Sequence, residues 1–241
     1  MISCILEKEI IEKFYKKGKF SKLQFNDKEF QYITEKQLSK NLIRAIIANY
    51  IQNEIIKSHH RALNLVKNKT VQNVTELLTL SEKYNIPPYK LAKMINFSCD
   101  ATTDKQIQKA DRFTHPKSIQ KSQRKAMKFE DTFEKKLLKL KVKNFKTEND
   151  LRKLNQPLTP DFLFPSGLKV KGKTINWIDV KNFYGSANNF TISRLKKQAA
   201  KYYNAFGDGC FVFRFNYSED LKIEHCLLLD YKEFVHDLLK A

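Results

Sequence analysis

Between Thr159 and Lys181 the chain places charge where an apolar segment would ordinarily carry none. Thr159-Pro160-Asp161-Phe162 opens a short apolar run, and Trp177-Ile178-Asp179-Val180-Lys181 then sets an acid and a base inside a second strand-like run. Side chains alternate along a strand, so Ile178 and Val180 turn to one face while Trp177, Asp179 and Lys181 turn to the other. Burying charge is costly unless the groups are paired or bind a metal. An isolated Asp-x-Lys is most often an ion pair where a strand emerges into solvent, and Thr-Pro-Asp alone is a common turn or helix-cap signature. Together they read differently. If the strand opened by Asp161 pairs with the strand of Asp179, two carboxylates converge, and each raises the other's pKa unless a cation compensates.

One or two carboxylates, water and a substrate phosphate are the oxygen ligands that suit Mg²⁺. Lys181, facing two carboxylates, should stay protonated, orient the attacking water and stabilise charge in the transition state. Upstream, Phe129-Glu130-Asp131-Thr132-Phe133-Glu134 places Glu130 and Glu134 on one helix face. Glu130 is the preferred third acid, Glu134 stays open, and two solvated surface charges are the plain alternative. Downstream, Gln198 lies near the apolar stripe of Leu195 and Tyr202, so it can face the same site. Arg194, Lys196, Lys197 and Lys201 share that helix as candidate phosphate contacts or as an ordinary solvated face.

Organisation along the chain follows the change in periodicity. Residues 1–98 are expected to form an all-α domain, with Ile5, Ile10, Ile11 and Phe14, then Leu42, Ile43, Ile46, Ile47, Tyr50 and Ile51, at helical spacing. Within it, Leu77, Leu78 and Leu80 precede the breaker Asn85-Ile86-Pro87-Pro88, and Leu91, Met94 and Ile95 follow. This outlines a helix-turn-helix-like unit, with Lys90 and Lys93 as candidate DNA contacts, although a plain helical hairpin has the same pattern. The paired His59-His60 reads as two histidines on a helix. Residues 99–123 are polar and are the candidate linker. From 124 to 241, helix, strands, helix, strands and helix alternate. That order predicts an α/β domain, a mixed sheet flanked by helices, with turns at Ser166-Gly167 and Lys171-Gly172.

The formal charge is +19, with 22 basic against 12 acidic residues up to position 123 and 23 against 14 beyond it. The excess is spread through the chain, which favours a polyanionic partner, most often nucleic acid; lysine-rich composition of the AT-rich kind is the competing explanation. Cys4, Cys99, Cys210 and Cys226 form no CxxC pair. With no long apolar stretch for a signal peptide or membrane span, the expectation is a soluble intracellular protein of a reducing compartment, nuclear or cytoplasmic, with no membrane partner.

Taken in order, Leu158-Thr159-Pro160-Asp161-Phe162-Leu163, Ile175-Asn176-Trp177-Ile178-Asp179-Val180-Lys181, Phe183, Gly185, Gln198, Tyr202 and Phe206-Gly207-x-Gly209 resemble the codanin-1-interacting nuclease family. This is the TPD-motif group of the PD-(D/E)xK nuclease superfamily, and the resemblance covers about residues 125–230. It implies a restriction-endonuclease-like core and an N-terminal helical domain suspected of binding DNA. It also implies a Mg²⁺- or Mn²⁺-dependent site on Glu130, Asp161, Asp179 and Lys181, with the Val180 backbone carbonyl as a further ligand and Gln198 as an auxiliary. A codanin-like protein is the implied partner. The reading that follows is a nuclease for structured or branched DNA. The alternatives are an RNA endonuclease of the same fold and a non-catalytic adaptor that binds nucleic acid and a codanin-like scaffold.

Overall fold

The computed structural model describes residues 1–58, 64–66 and 69–240, so His59-His60 lies outside the described residues. The chain divides into two units. One is Ile10–Arg124; the other joins Met1–Glu9 to Lys125–Ala241.

Helices come first: α1 (Cys4–Phe14), α2 (Asp27–Glu35), α3 (Lys40–Lys57), α4 (Val74–Tyr84), α5 (Pro88–Met94), α6 (Ala101–Ala110) and α7 (Pro116–Lys139). In α3 the buried side is Ile43, Ile46, Ile47, Ile51 and Ile55, the stripe that its spacing predicts. Helix α4 ends where Asn85 adopts a left-handed conformation (φ 56°), and Pro88 opens α5 at its first turn. Ile86 between them is buried, and its carbonyl accepts from the Ser81 hydroxyl at 2.6 Å. The polar stretch 99–123 is structured rather than an extended linker. Asp100 caps α6, Ile107 is buried with Leu77, Ile86 and Leu91, and α7 starts at Pro116. Its polarity comes from the solvated faces of short helices.

That unit also holds a buried acid. The fully buried Asp111 accepts from the Tyr89 backbone N–H at 3.1 Å, the Phe113 N–H at 2.9 Å, the Thr114 N–H at 2.8 Å and the Thr114 hydroxyl. It thereby satisfies an otherwise unpaired donor in the first turn of α5. Nearby, buried His115 accepts from the Lys117 N–H at Nδ1 (3.2 Å) and so presents Nε2–H to Asp104 at 3.0 Å.

The other unit is built on a mixed sheet. In chain order it contains β1 (Lys146–Thr147), α8 (Glu148–Lys153), β2 (Phe162–Val170), β3 (Lys173–Lys181), α9 (Asn189–Phe206), β4 (Gly209–Phe213), β5 (Cys226–Asp230) and α10 (Tyr231–Lys240). The strands lie side by side in sequence order. Pairings β1–β2 and β2–β3 are antiparallel; β3–β4 and β4–β5 are parallel. Lys171 and Gly172, both at positive φ, make the two-residue turn of the β2–β3 hairpin. Ser166-Gly167, expected as a turn, is instead inside β2, where the register shifts between Leu163 and Leu168. The parallel β3 and β4 require a crossover, which α9 supplies.

Each sheet face carries its own core. Phe129, Phe133 and Leu137 of α7 and Phe234 of α10 pack on Phe162, Ile178, Val180 and Val212. Leu195, Ala199 and Tyr202 of α9 pack on Trp177, Phe211 and Phe213. The two glycines after α9 serve this second core. Gly207 leaves the helix at φ 85°, and a Cβ on Gly209 would fall 1.9 Å from the Trp177 ring. The first nine residues, expected within the helical domain, join this unit. Ile2 bridges to Ser218, the Cys4 N–H donates to Glu219 at 2.7 Å, and the buried Tyr184 hydroxyl donates to Glu7 at 2.9 Å. Among the described residues no helix is long and apolar enough to cross a membrane.

Candidate active site

The ends of β2 and β3 bring the two aspartates together. The hairpin's last pairs are Leu163 with Trp177 and Phe162 with Ile178, and continuing that register by one residue sets Asp161 opposite Asp179, in agreement with the Val180 N–H that reaches Asp161. Opposed residues on antiparallel strands hold their side chains on one face about 5 Å apart. At an effective dielectric near 20, two unit charges at that distance repel by about 3 kcal/mol. Against this, Asp161 accepts one charge-assisted bond, from the Val180 backbone N–H at 2.7 Å, of about 1.5–3 kcal/mol. Repulsion and burial win. Burial, then the Asp179 charge, holds the Asp161 carboxyl far above the usual carboxylate range, with Val180 and Lys181 pulling the other way. In a strand the N–H and C=O of one residue leave on the same edge, so the carbonyl of Val180, whose N–H meets Asp161, points to the side on which Asp161 sits.

Asp179 and Lys181 occupy the face of β3 that α9 covers. Both are mostly buried, with side-chain exposures of 7% and 12%. The Lys181 ammonium donates to Asp179 Oδ1 and to Gln198 Oε1 at 2.9 Å, and it lies 4.9 Å from the Phe211 ring centroid. Gln198 Nε2 donates in turn to Asp179 Oδ2 at 2.5 Å. One carboxamide therefore fixes both the acid and the base. Tyr202, one turn further along α9, accepts from Gln198 and donates to the Thr159 carbonyl, each at 3.3 Å. Burial first, then Asp179, pushes the Tyr202 phenol up to about 12. That phenol ties α9 to the Thr-Pro-Asp turn, a role that sequence reasoning missed.

Glu130 of α7 is half-buried. Burial raises its pKa first, followed by the charges of Glu148, Asp179 and Asp131, with Lys181 opposing; Glu130 in turn acts on Asp161. Glu130 is therefore within electrostatic reach of both aspartates. Glu148, at the first position of α8, was not singled out from the sequence. Its backbone N–H donates to the Asp161 carbonyl at 3.1 Å, while its side chain takes Arg152 at 2.6 Å and the Thr159 hydroxyl at 3.4 Å. A capping threonine, Thr147, followed by an acid was the available signal.

Among the described residues no three His, Cys, Asp or Glu side chains form a group that could hold a metal ion. The three acids named from the sequence are thus not gathered into a ready-made cage. What the strand ends offer is a hard oxygen set, the two opposed aspartates and the Val180 carbonyl edge, with mutual repulsion that a divalent cation would relieve. That donor chemistry fits Mg²⁺ or Mn²⁺, which commonly take one or two carboxylates and complete their shells with water and substrate phosphate. Arg194, Lys196, Lys197 and Lys201 are exposed along α9, with Arg194 over Phe190 at 5.4 Å. In the helical unit Lys93 is exposed over Tyr89 at 5.7 Å, whereas Lys90 is half-buried and its pKa is lowered by that burial.

A family model described as "Protein of unknown function TPD sequence-motif" matches residues 99–233, more than half of the chain. An uncharacterized protein of Acanthamoeba polyphaga mimivirus is 39% identical over 111 residues, 44% of this chain and 40% of that protein. The "CDAN1-interacting nuclease 1" of Gallus gallus is 31% identical over 74 residues, 31% of this chain and 27% of that protein. Its Danio rerio counterpart of the same name is 30% identical over 95 residues, 39% of this chain and 31% of that protein. The chain thus spans less than half the length of each of these relatives. No solved structure matches it.

Proposed function

Because this chain belongs to the TPD sequence-motif family, we propose that its sheet-bearing unit is a metal-dependent nuclease of the PD-(D/E)xK type that hydrolyses phosphodiester bonds in structured or branched DNA. The observation that carries the reading is the opposition of Asp161 and Asp179 beside a lysine that Gln198 holds in place. The mixed sheet flanked by helices is compatible with a restriction-endonuclease-like core. Two relatives are named nucleases that interact with CDAN1, which supports both the activity and a codanin-like partner for this chain.

In this reading Asp161, Asp179 and the Val180 carbonyl, with Glu130 as a further oxygen donor, would hold Mg²⁺ or Mn²⁺, which supplies water activation and neutralises phosphate charge. Asp161 must give up its proton to ligate, and the raised pKa imposed by its neighbours marks what a cation has to overcome. Lys181 stabilises negative charge building on the phosphate oxygens. Gln198 fixes the rotamers of Asp179 and Lys181, and Tyr202 keeps the Thr-Pro-Asp turn against α9. Exposed Arg194, Lys196, Lys197 and Lys201 contact flanking phosphates. The α4–α5 pair, with Lys93 and Lys90, is a second nucleic-acid surface of the helix-turn-helix kind.

The test is incubation with labelled single-stranded, duplex, flap and four-way-junction DNA and with RNA. Mg²⁺, Mn²⁺ and EDTA are compared, beside Asp179→Ala. Metal-dependent cleavage of branched DNA that disappears in the variant is the expected result. Cleavage of RNA alone would reassign the substrate, and binding without cleavage on every substrate would favour the adaptor reading.

A further inference from the structure

Arg214 stands just past the end of β4, beside the strand that carries Asp179 and Lys181. Its backbone N–H donates to the Lys181 carbonyl at 2.9 Å, so its position relative to that strand is fixed. The side chain is exposed yet held on several sides. Nη1 donates to the Asn182 side-chain carbonyl at 2.9 Å. The guanidinium carbon lies 5.0 Å from the Phe129 ring centroid and 5.2 Å from that of Phe215. Among the described residues no Asp or Glu pairs with it.

Several features separate this arginine from an ordinary surface cation. Of the 45 basic residues only seven are arginine, so a planar fork at position 214 departs from the usual choice of this chain. A guanidinium presents five donors in a rigid fork that matches phosphate oxygens, and one bond to Asn182 leaves most of them unused. Stacking on two rings removes much of the rotamer entropy that a flexible cation would lose on binding. The location also fits. In open α/β sheets ligands bind outside the carboxyl ends of the strands, and Arg214 follows β4 at that end, one strand from Lys181. Residue alternation along β4 turns it towards α7, the helix of Glu130, whereas Lys181 faces α9.

We propose that Arg214 is a preorganised clamp for a backbone phosphate neighbouring the scissile one, entering the site from the α7 side while Lys181 acts from the α9 side. Asn182 is its positioning residue. This rests on the reading of the strand ends as a phosphodiesterase site.

The test measures binding of a fluorescein-labelled DNA duplex with a single-stranded arm, and of its RNA counterpart, in EDTA across a salt series. Wild type, Arg214→Gln and Arg214→Lys are compared, with melting curves for each and metal-dependent cleavage of the same probes as a separate readout. Loss of one phosphate contact should reduce the slope of log K against log salt by about one in the Gln variant, with roughly tenfold weaker binding at moderate salt. The Lys variant should keep the wild-type slope and bind with intermediate affinity. If Arg214 only packs between Phe129 and Phe215, both variants lose melting temperature and both keep the wild-type slope, which overturns the clamp. A changed slope in the Gln variant with no cleavage by wild type would keep Arg214 as a phosphate contact and overturn its place beside a scissile phosphate. Absence of binding by wild type to either probe would overturn both.

Discussion

Two aspartates, the fully buried Asp111 of one unit and the half-buried Asp161 of the other, show how differently a fold can treat the same side chain. Asp111 is surrounded by donors: three backbone N–H groups and a hydroxyl meet its two oxygens. Asp161 receives one backbone N–H and looks across the sheet at another carboxylate. Burial is costly for both, but Asp111 recovers it through hydrogen bonds, whereas repulsion from Asp179 worsens the position of Asp161. The first acid is architecture. The second is a destabilised group of the kind found at functional sites, as the proposed metal site calls for.

That contrast can be broken by substitution. The largest effect should come from Lys181→Ala, which removes the cation that meets Asp179 and Gln198. Metal-dependent cleavage should fall by about a hundredfold to a thousandfold, read by single-turnover kinetics, while the fold survives by circular dichroism. Asp111→Ala should cost the helical unit about 3 kcal/mol or more in denaturant unfolding, because it strands several buried donors, and should leave chemistry at Asp179 alone. Gln198→Ala should lower cleavage by about tenfold to a hundredfold, the usual range for a residue that orients a ligand. If its loss is silent, the pairing with Asp179 is decorative.

The smallest effect has the opposite sign. Asp161→Asn should raise the stability of the metal-free protein by on the order of 1 kcal/mol at neutral pH, read as a higher melting temperature. The sign follows from linkage. A carboxyl with a raised folded-state pKa binds more protons folded than unfolded, so its ionisation removes stability as pH climbs from the ordinary carboxylate range through the raised value. The gain should therefore shrink towards pH 4.

Much of the site could be read in the chain because its residues keep strand and helix periods. Asp179 and Lys181 fall on one face of β3 by alternation, and Gln198 falls on the sheet side of α9 through Leu195 and Tyr202. The opposition of Asp161 to Asp179 depends on the register shift between Leu163 and Leu168, because the register of the Lys171-Gly172 turn carried straight on would set Asp161 opposite Asn182. Elsewhere the sequence carries no periodic signal. The two-residue β1 and six-residue α8, which deliver Glu148, are too short to show one. Docking of Ile2 and Cys4 on 218–219 is a long-range pairing that no local pattern announces. A lone arginine after an apolar strand, Arg214, gains meaning only from Phe129 and Asn182, brought from other elements.

The central claim, that Asp161 and Asp179 oppose each other to receive a divalent cation, is tested most directly by Mn²⁺ binding. The free ion would be followed by electron paramagnetic resonance during titration of the wild-type chain and of Asp161→Asn and Asp179→Asn. The account predicts saturable Mn²⁺ binding by wild type, displaced by Mg²⁺ and lost in each variant. Equal binding by all three proteins, or none by wild type at millimolar Mn²⁺, would contradict it.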